Sequence, residues 1–134
     1  MAFAFALLAL GACSNERLAR EGTLSDGDTF REYSRIPYGY ERVIYSRDGK
    51  VLGRQELHTE QNFKRIQPGM TRAELTDIIG AGFATRGDYA DGTHSLTWRY
   101  YDGVYKLLHV IFGRDGRVMR YDTEWDPNVY SKKK

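Results

Sequence analysis

The chain has 134 residues, with 20 Lys and Arg against 18 Asp and Glu, a formal charge of +2 and a single cysteine. Basic and acidic residues are interleaved, which excludes the basic footprint of a nucleic-acid-binding protein. One cysteine excludes an intramolecular disulfide. The length then suits one domain that its own core must hold.

Residues 1–12 are apolar, ending Leu7-Leu8-Ala9-Leu10-Gly11-Ala12 before Cys13. The run is too short to span a bilayer, which takes about 20 apolar residues. It has the length of a signal-peptide core, although only Met1 precedes it and no Lys or Arg does. Leu10-Gly11-Ala12-Cys13 resembles the lipobox of a bacterial lipoprotein. That resemblance implies that residues 1–12 are removed and that Cys13 carries acyl chains. Ser14 is then compatible with transport to the outer membrane. The alternative is an amphiphilic N terminus with a buried cysteine.

Residues 13–29 are polar, with Gly22 and Gly27, and read as a flexible tether. From Phe30 the texture changes to alternating aromatic and β-branched residues. Residues 30–57 read as an N-terminal β-segment, and residues 58–127 as the main unit. Val43–Val51 reappears as Val110–Val118 at a constant offset of 67, each copy a strand, an Asp-Gly turn and a strand.

Between the copies the pattern turns helical. Thr59 is a plausible cap for a short helix with Phe63 and Ile66 on one face. Thr71-Arg72-Ala73-Glu74 has the form of a capping box, and Met70 and Leu75 take the positions of a hydrophobic staple. Leu75, Ile78 and Ile79 give one apolar stripe, stopped by Gly80 and Gly82. A loop over residues 87–93 and a strand over residues 96–101 follow, with Leu96, Trp98 and Tyr100 on one face. Leu108, Val110 and Phe112 repeat that row. The expected fold is α+β in two layers: two short helices on an antiparallel sheet, an αα-βββ unit with an extra N-terminal β-segment from a truncated repeat.

Ile66-Gln67-Pro68-Gly69-Met70-Thr71-Arg72-Ala73-Glu74-Leu75, then Ile79-Gly80, Trp98-Arg99-Tyr100 and the hairpin through Asp115-Gly116 resemble the SmpA/OmlA (BamE-like) family of outer-membrane lipoproteins. The resemblance covers about half of the chain. It departs from the family at Gly82-Phe83, where a proline is usual, and at the short link after Tyr101. It implies a non-enzymatic accessory in outer-membrane β-barrel assembly or envelope integrity, facing the periplasm, with an assembly-machine subunit as partner. A periplasmic inhibitor module and a structural envelope lipoprotein are the alternatives.

The residues name no chemistry of their own. His58, His94 and His109 are scattered, with no metal-ligand spacing, so neither metal nor cofactor is expected. Asp88, Asp91, Asp122 and Glu124 read as turn and surface acids. Ten tyrosines stand out. By strand alternation Tyr100 points to the core, whereas Tyr101 and Tyr105 are exposed. With Arg99 they are the candidate partner-binding residues. Residues 128–134 form a basic tail in which Lys132, Lys133 and Lys134 either end free in solvent or touch anionic lipid.

Overall fold

The computed structural model describes residues 16–35, 39–81 and 84–130. Cys13 and Lys132, Lys133 and Lys134 lie outside the described residues. The chain runs β1 (Glu16–Thr23), β2 (Thr29–Arg35), β3 (Tyr40–Tyr45), β4 (Val51–Glu56), α1 (Glu60–Phe63), α2 (Arg72–Ile79), β5 (Thr85–Asp88), β6 (His94–Tyr101), β7 (Tyr105–Phe112) and β8 (Val118–Trp125). The strands form two four-stranded antiparallel sheets in sequential order, β1-β2-β3-β4 and β5-β6-β7-β8.

This corrects the expected α+β layering of two helices on one sheet. The protein is mainly β, and its helices have only four and eight residues. Two strands were hidden in sequence. Residues 16–23 belong to β1 and not to a tether, and Thr85–Asp88 forms β5 at the edge of the expected loop. Both are largely exposed, so neither carries the apolar alternation that marks a half-buried strand. Cross-strand charge holds β1 instead. Glu16 pairs with Arg35 at 3.0 Å, Glu21 with Arg31 at 3.4 Å and Arg20 with Glu32 at 3.2 Å.

The repeat extends across both sheets. Tyr45 lies opposite Val51 after an irregularity at Ile44, and Phe112 lies opposite Val118 after the same irregularity at Ile111. The first hairpin of each sheet repeats as well, at an offset of 65 (Leu24 to Tyr89, Asp28 to Thr93). The Leu24 N–H donates to the Asp28 carbonyl at 2.7 Å, and the Tyr89 N–H to the Thr93 carbonyl at 3.0 Å. An arginine from the later hairpin locks each turn. Arg47 donates to the Asp26 carbonyl at 2.8 Å, and Arg114 to the Asp91 carbonyl at 2.7 Å. A shared tertiary hydrogen bond marks two copies of one four-stranded unit more firmly than shared turn chemistry does.

The copies differ in what covers them. In the second sheet Leu96, Trp98, Tyr100, Leu108, Val110 and Phe112 are buried under Phe63, Ile66, Leu75, Ile78 and Ile79 of the helical segment. The equivalent positions in the first sheet are Arg31, Tyr33, Arg35, Glu41, Val43 and Tyr45. There no described helix lies on the matching face. Charged residues take three of the six places, although Val43 and Glu41 in that row remain buried.

The opposite face of the first sheet meets the C-terminal end of α2. Arg20 and Arg42 donate to the Thr76 and Asp77 carbonyls at 3.4 and 3.0 Å, supplying positive charge where the helix dipole is negative. Glu32, wholly buried, holds both arginines and accepts from the Tyr40 hydroxyl at 3.1 Å. Tyr40 packs on Gly80, where a Cβ would stand 2.0 Å from its ring. The expected helix caps are present. Thr59 accepts from the Asn62 N–H at 3.1 Å, and Thr71 and Glu74 form the reciprocal capping box.

Candidate functional site

The site grows from the tight connection between β6 and β7. Gly103, at φ 85°, supplies the left-handed backbone the turn needs, and the Asp102 N–H donates to the Val104 carbonyl at 3.1 Å. This places Tyr101 directly opposite Tyr105. Their rings lie 4.8 Å apart and tilted, a favourable aromatic pair. The Asp102 carboxylate also accepts from the Glu60 N–H at 3.1 Å, which ties the turn to the start of α1. Beneath it Lys106 bonds Glu60 and holds that carboxyl below its usual range.

The end of β8 completes the patch. The Asp126 N–H donates to the Tyr105 carbonyl at 3.0 Å, and Val129 and Tyr130 both donate back to the Asp126 carbonyl. The chain therefore folds over. The Tyr130 hydroxyl accepts from the Tyr105 N–H at 3.2 Å, and the Tyr130 ring meets that of Trp125 edge-on at 5.1 Å. Tyr101, Tyr105, Tyr130 and Trp125 form a continuous series, with Trp125 and Tyr101 each more than half exposed. Arg99 is half exposed and pairs with the buried Asp126 carboxylate at 3.7 Å.

Arg99, Tyr101 and Tyr105 thus gather at one end of the second sheet, although Arg99 reaches the patch through Asp126 and not through a ring. Trp125 and Tyr130 were missed in sequence. The Asp126-Pro127-Asn128 turn was the available signal, since it returns the chain over the strand end.

The three histidines occupy different surroundings. His58 is buried, stacks on Tyr40, and donates from Nε2 to the Ile79 carbonyl at 3.0 Å, and burial pushes its pKa down to about 4. His94 stacks on Phe112. His109 bridges Thr97 Oγ1 at 2.8 Å and Glu124 at 2.6 Å. Thr97 lies inside the sheet ladder, opposite Thr85 on one side and His109 on the other. Among the described residues no group of three or more His, Cys, Asp or Glu could hold a metal ion.

A concavity of about 800 Å³ opens between the two sheets and is lined by Arg17, Arg35, Arg99, Tyr40, His58 and Trp98 among others. Arg35 is already held by Glu16, Glu41 and Glu56.

No family model, curated protein or solved structure compared with the chain matches it. No helix among the described residues is long and apolar enough to cross a membrane.

Proposed function

We propose that this chain is a small non-enzymatic lipoprotein of the outer membrane, anchored through acylated Cys13 and facing the periplasm. Its work is to bind a protein partner in β-barrel assembly or envelope integrity. The aromatic series Tyr101, Tyr105, Tyr130 and Trp125 carries this reading, exposed at Tyr101, Tyr130 and Trp125 and half-buried at Tyr105, a residue that strand alternation places in solvent. Rigid aromatic side chains with polar ends are the residues on which binding energy concentrates. The lipobox-like Leu10-Gly11-Ala12-Cys13 supplies the anchor, and more than one acyl chain is needed to make it stable. The resemblance to the SmpA/OmlA family directs the search to subunits of the β-barrel assembly machine.

The test is a photo-crosslinker at Tyr101 or Trp125 in intact cells, with the captured protein identified. Capture of an assembly-machine subunit is expected. Trp125→Ala is expected to weaken that complex about tenfold or more, the equivalent of about 1.4 kcal/mol. A crosslink pattern without any envelope protein would overturn the reading. So would fatty-acid labelling that persists in Cys13→Ser.

A further inference from the structure

Five Asp-Gly pairs punctuate the chain: Asp26-Gly27, Asp48-Gly49, Asp91-Gly92, Asp102-Gly103 and Asp115-Gly116. Asp-Gly is the dipeptide at which an aspartate most readily isomerises. The glycine nitrogen attacks the side-chain carboxyl carbon, a water leaves and a succinimide ring closes. Glycine has no Cβ to hinder that approach. A water then opens the ring, and opening at the main-chain carbonyl leaves isoaspartate. One water is lost and one is gained, with no oxidant or reductant. In a folded chain the step needs a glycine nitrogen that is not already bonded and a carboxyl that is able to turn back onto it.

Four of the pairs fail on both counts. They are the tips of the repeated hairpins. The Gly27, Gly49, Gly92 and Gly116 N–H groups donate to the carbonyls of Leu24, Ser46, Tyr89 and Gly113 at 3.0, 3.0, 3.1 and 3.0 Å. Each aspartate is also held inside its own turn. Asp26, Asp91 and Asp115 accept from the N–H groups of Asp28, Thr93 and Arg117 at 2.9, 3.0 and 3.0 Å, and Asp48 accepts from the Ser46 hydroxyl. The Ser46 hydroxyl holds the Asp48 carboxyl below its usual range, and the Thr93 hydroxyl does the same for Asp91. Both are thereby kept in the ionised form, which is the less reactive one. The side chains of Arg47 and Arg114 also pack over Gly27 and Gly92.

Asp102-Gly103 differs in each respect. Among the described residues no acceptor takes the Gly103 N–H, and a Cβ at Gly103 would meet nothing within 4 Å. The Asp102 carboxylate is not held by its own turn. It accepts from the Glu60 N–H at the start of α1, at 3.1 Å. Both residues are exposed to the water that opens the ring.

We infer that Asp102-Gly103 is a modification site, where isoaspartate forms spontaneously while the hairpin turns protect the other four pairs. The product has one more carbon in the main chain between Tyr101 and Tyr105. Its side chain is one methylene shorter, which withdraws the acceptor from the Glu60 N–H. The turn that sets Tyr101 opposite Tyr105 is loosened, and its tie to α1 is lost. The effect on partner capture rests on the function proposed above, whereas the modification itself does not.

The test is to age the purified full chain for weeks in warm neutral buffer with mild detergent. Isoaspartate is then located by enzymatic methylation of the isoaspartyl carboxyl and mass spectrometry of the digest. Residue 102 is expected to carry severalfold more than any other pair. In urea the five rates should draw together, because the protecting turns are gone. Hydrogen exchange at the Glu60 amide should be faster in the aged chain than in the fresh one, since its acceptor has been withdrawn. The inference is overturned if another pair leads in the folded chain, or if residue 102 leads by as much in urea. It is overturned equally if exchange at Glu60 is unchanged once residue 102 has been converted.

Discussion

Arg42 joins the two halves of this protein through Glu32. One guanidinium nitrogen donates to the buried carboxylate at 2.9 Å, and another reaches it at 2.7 Å while donating to the Asp77 carbonyl at 3.0 Å. The first sheet is thereby fixed to the end of the helix that roofs the second. Phe30 lies under both arginines that serve Glu32, with Arg20 and Arg42 at 5.0 and 5.5 Å from its ring centre. A carboxylate with no exposure is tolerable only because three side chains, Arg20, Arg42 and Tyr40, donate to it.

Glu32→Gln should therefore be costly. It leaves two partly buried arginines with a neutral acceptor, and breaking a buried pair from one side costs about 3–5 kcal/mol. The lower end is expected here, because Arg20 keeps some contact with water. Urea unfolding of the variant measures it, and a loss below about 1 kcal/mol would mean the joint is not a source of stability.

Gly80 and Gly116 separate backbone strain from packing. Both have φ near 80°, but only Gly80 lies against the Tyr40 ring. Gly116→Ala should cost about 1–2 kcal/mol for the left-handed backbone alone. Gly80→Ala adds displacement of Tyr40, and with it the hydrogen bond from the Ala81 N–H to the Tyr40 hydroxyl. It should melt several degrees lower than Gly116→Ala. Equal melting temperatures would show that Tyr40 yields without cost.

His58 should make stability depend on mild acid. Burial lowers its pKa to about 4 in the folded chain, against an ordinary value near 6.5 when unfolded. Between these values the unfolded chain binds the extra proton, so stability is complete above about pH 6.5 and falls as the pH drops toward 4. The loss is at most about 3 kcal/mol. His58→Gln should flatten the stability profile over that window. An unchanged slope would sink the assignment, because Glu60, whose pKa the hydrogen bond from Lys106 lowers, gives up its contribution only below about pH 4.5.

Thr71→Ala removes the side-chain acceptor of the capping box at α2. The cost expected for a lost N-cap is about 0.5–2 kcal/mol, read from the thermal unfolding curve. Thr71→Ser should recover most of it, since serine offers the same oxygen.

Local chemistry was legible in sequence. The Thr71–Glu74 box, the Thr59 cap, the Asp-Gly turns and the buried row Leu96, Trp98 and Tyr100 each follow from residues within a few positions of one another. The exposure of Tyr101 was readable from alternation, because a strand's two faces are fixed by a period of two. The candidate patch was read only in part. Its other half, Trp125 and Tyr130, comes from a chain that folds back more than 20 residues later.

By itself the sequence determined the caps, the turns, the repeated hairpin and one apolar face, since each rests on short-range hydrogen bonding or on periodicity. Only the tertiary structure decided that residues 16–23 and 85–88 are strands. Their partners and not their own hydrophobicity make them so. The tertiary structure also decided that the helices cover the apolar row of the second copy and meet the first copy on its opposite face, at the end of α2. That outcome turns on distant contacts, Glu32 to Arg42 to Asp77 and Gly69 and Met70 to Val118, which no local pattern encodes.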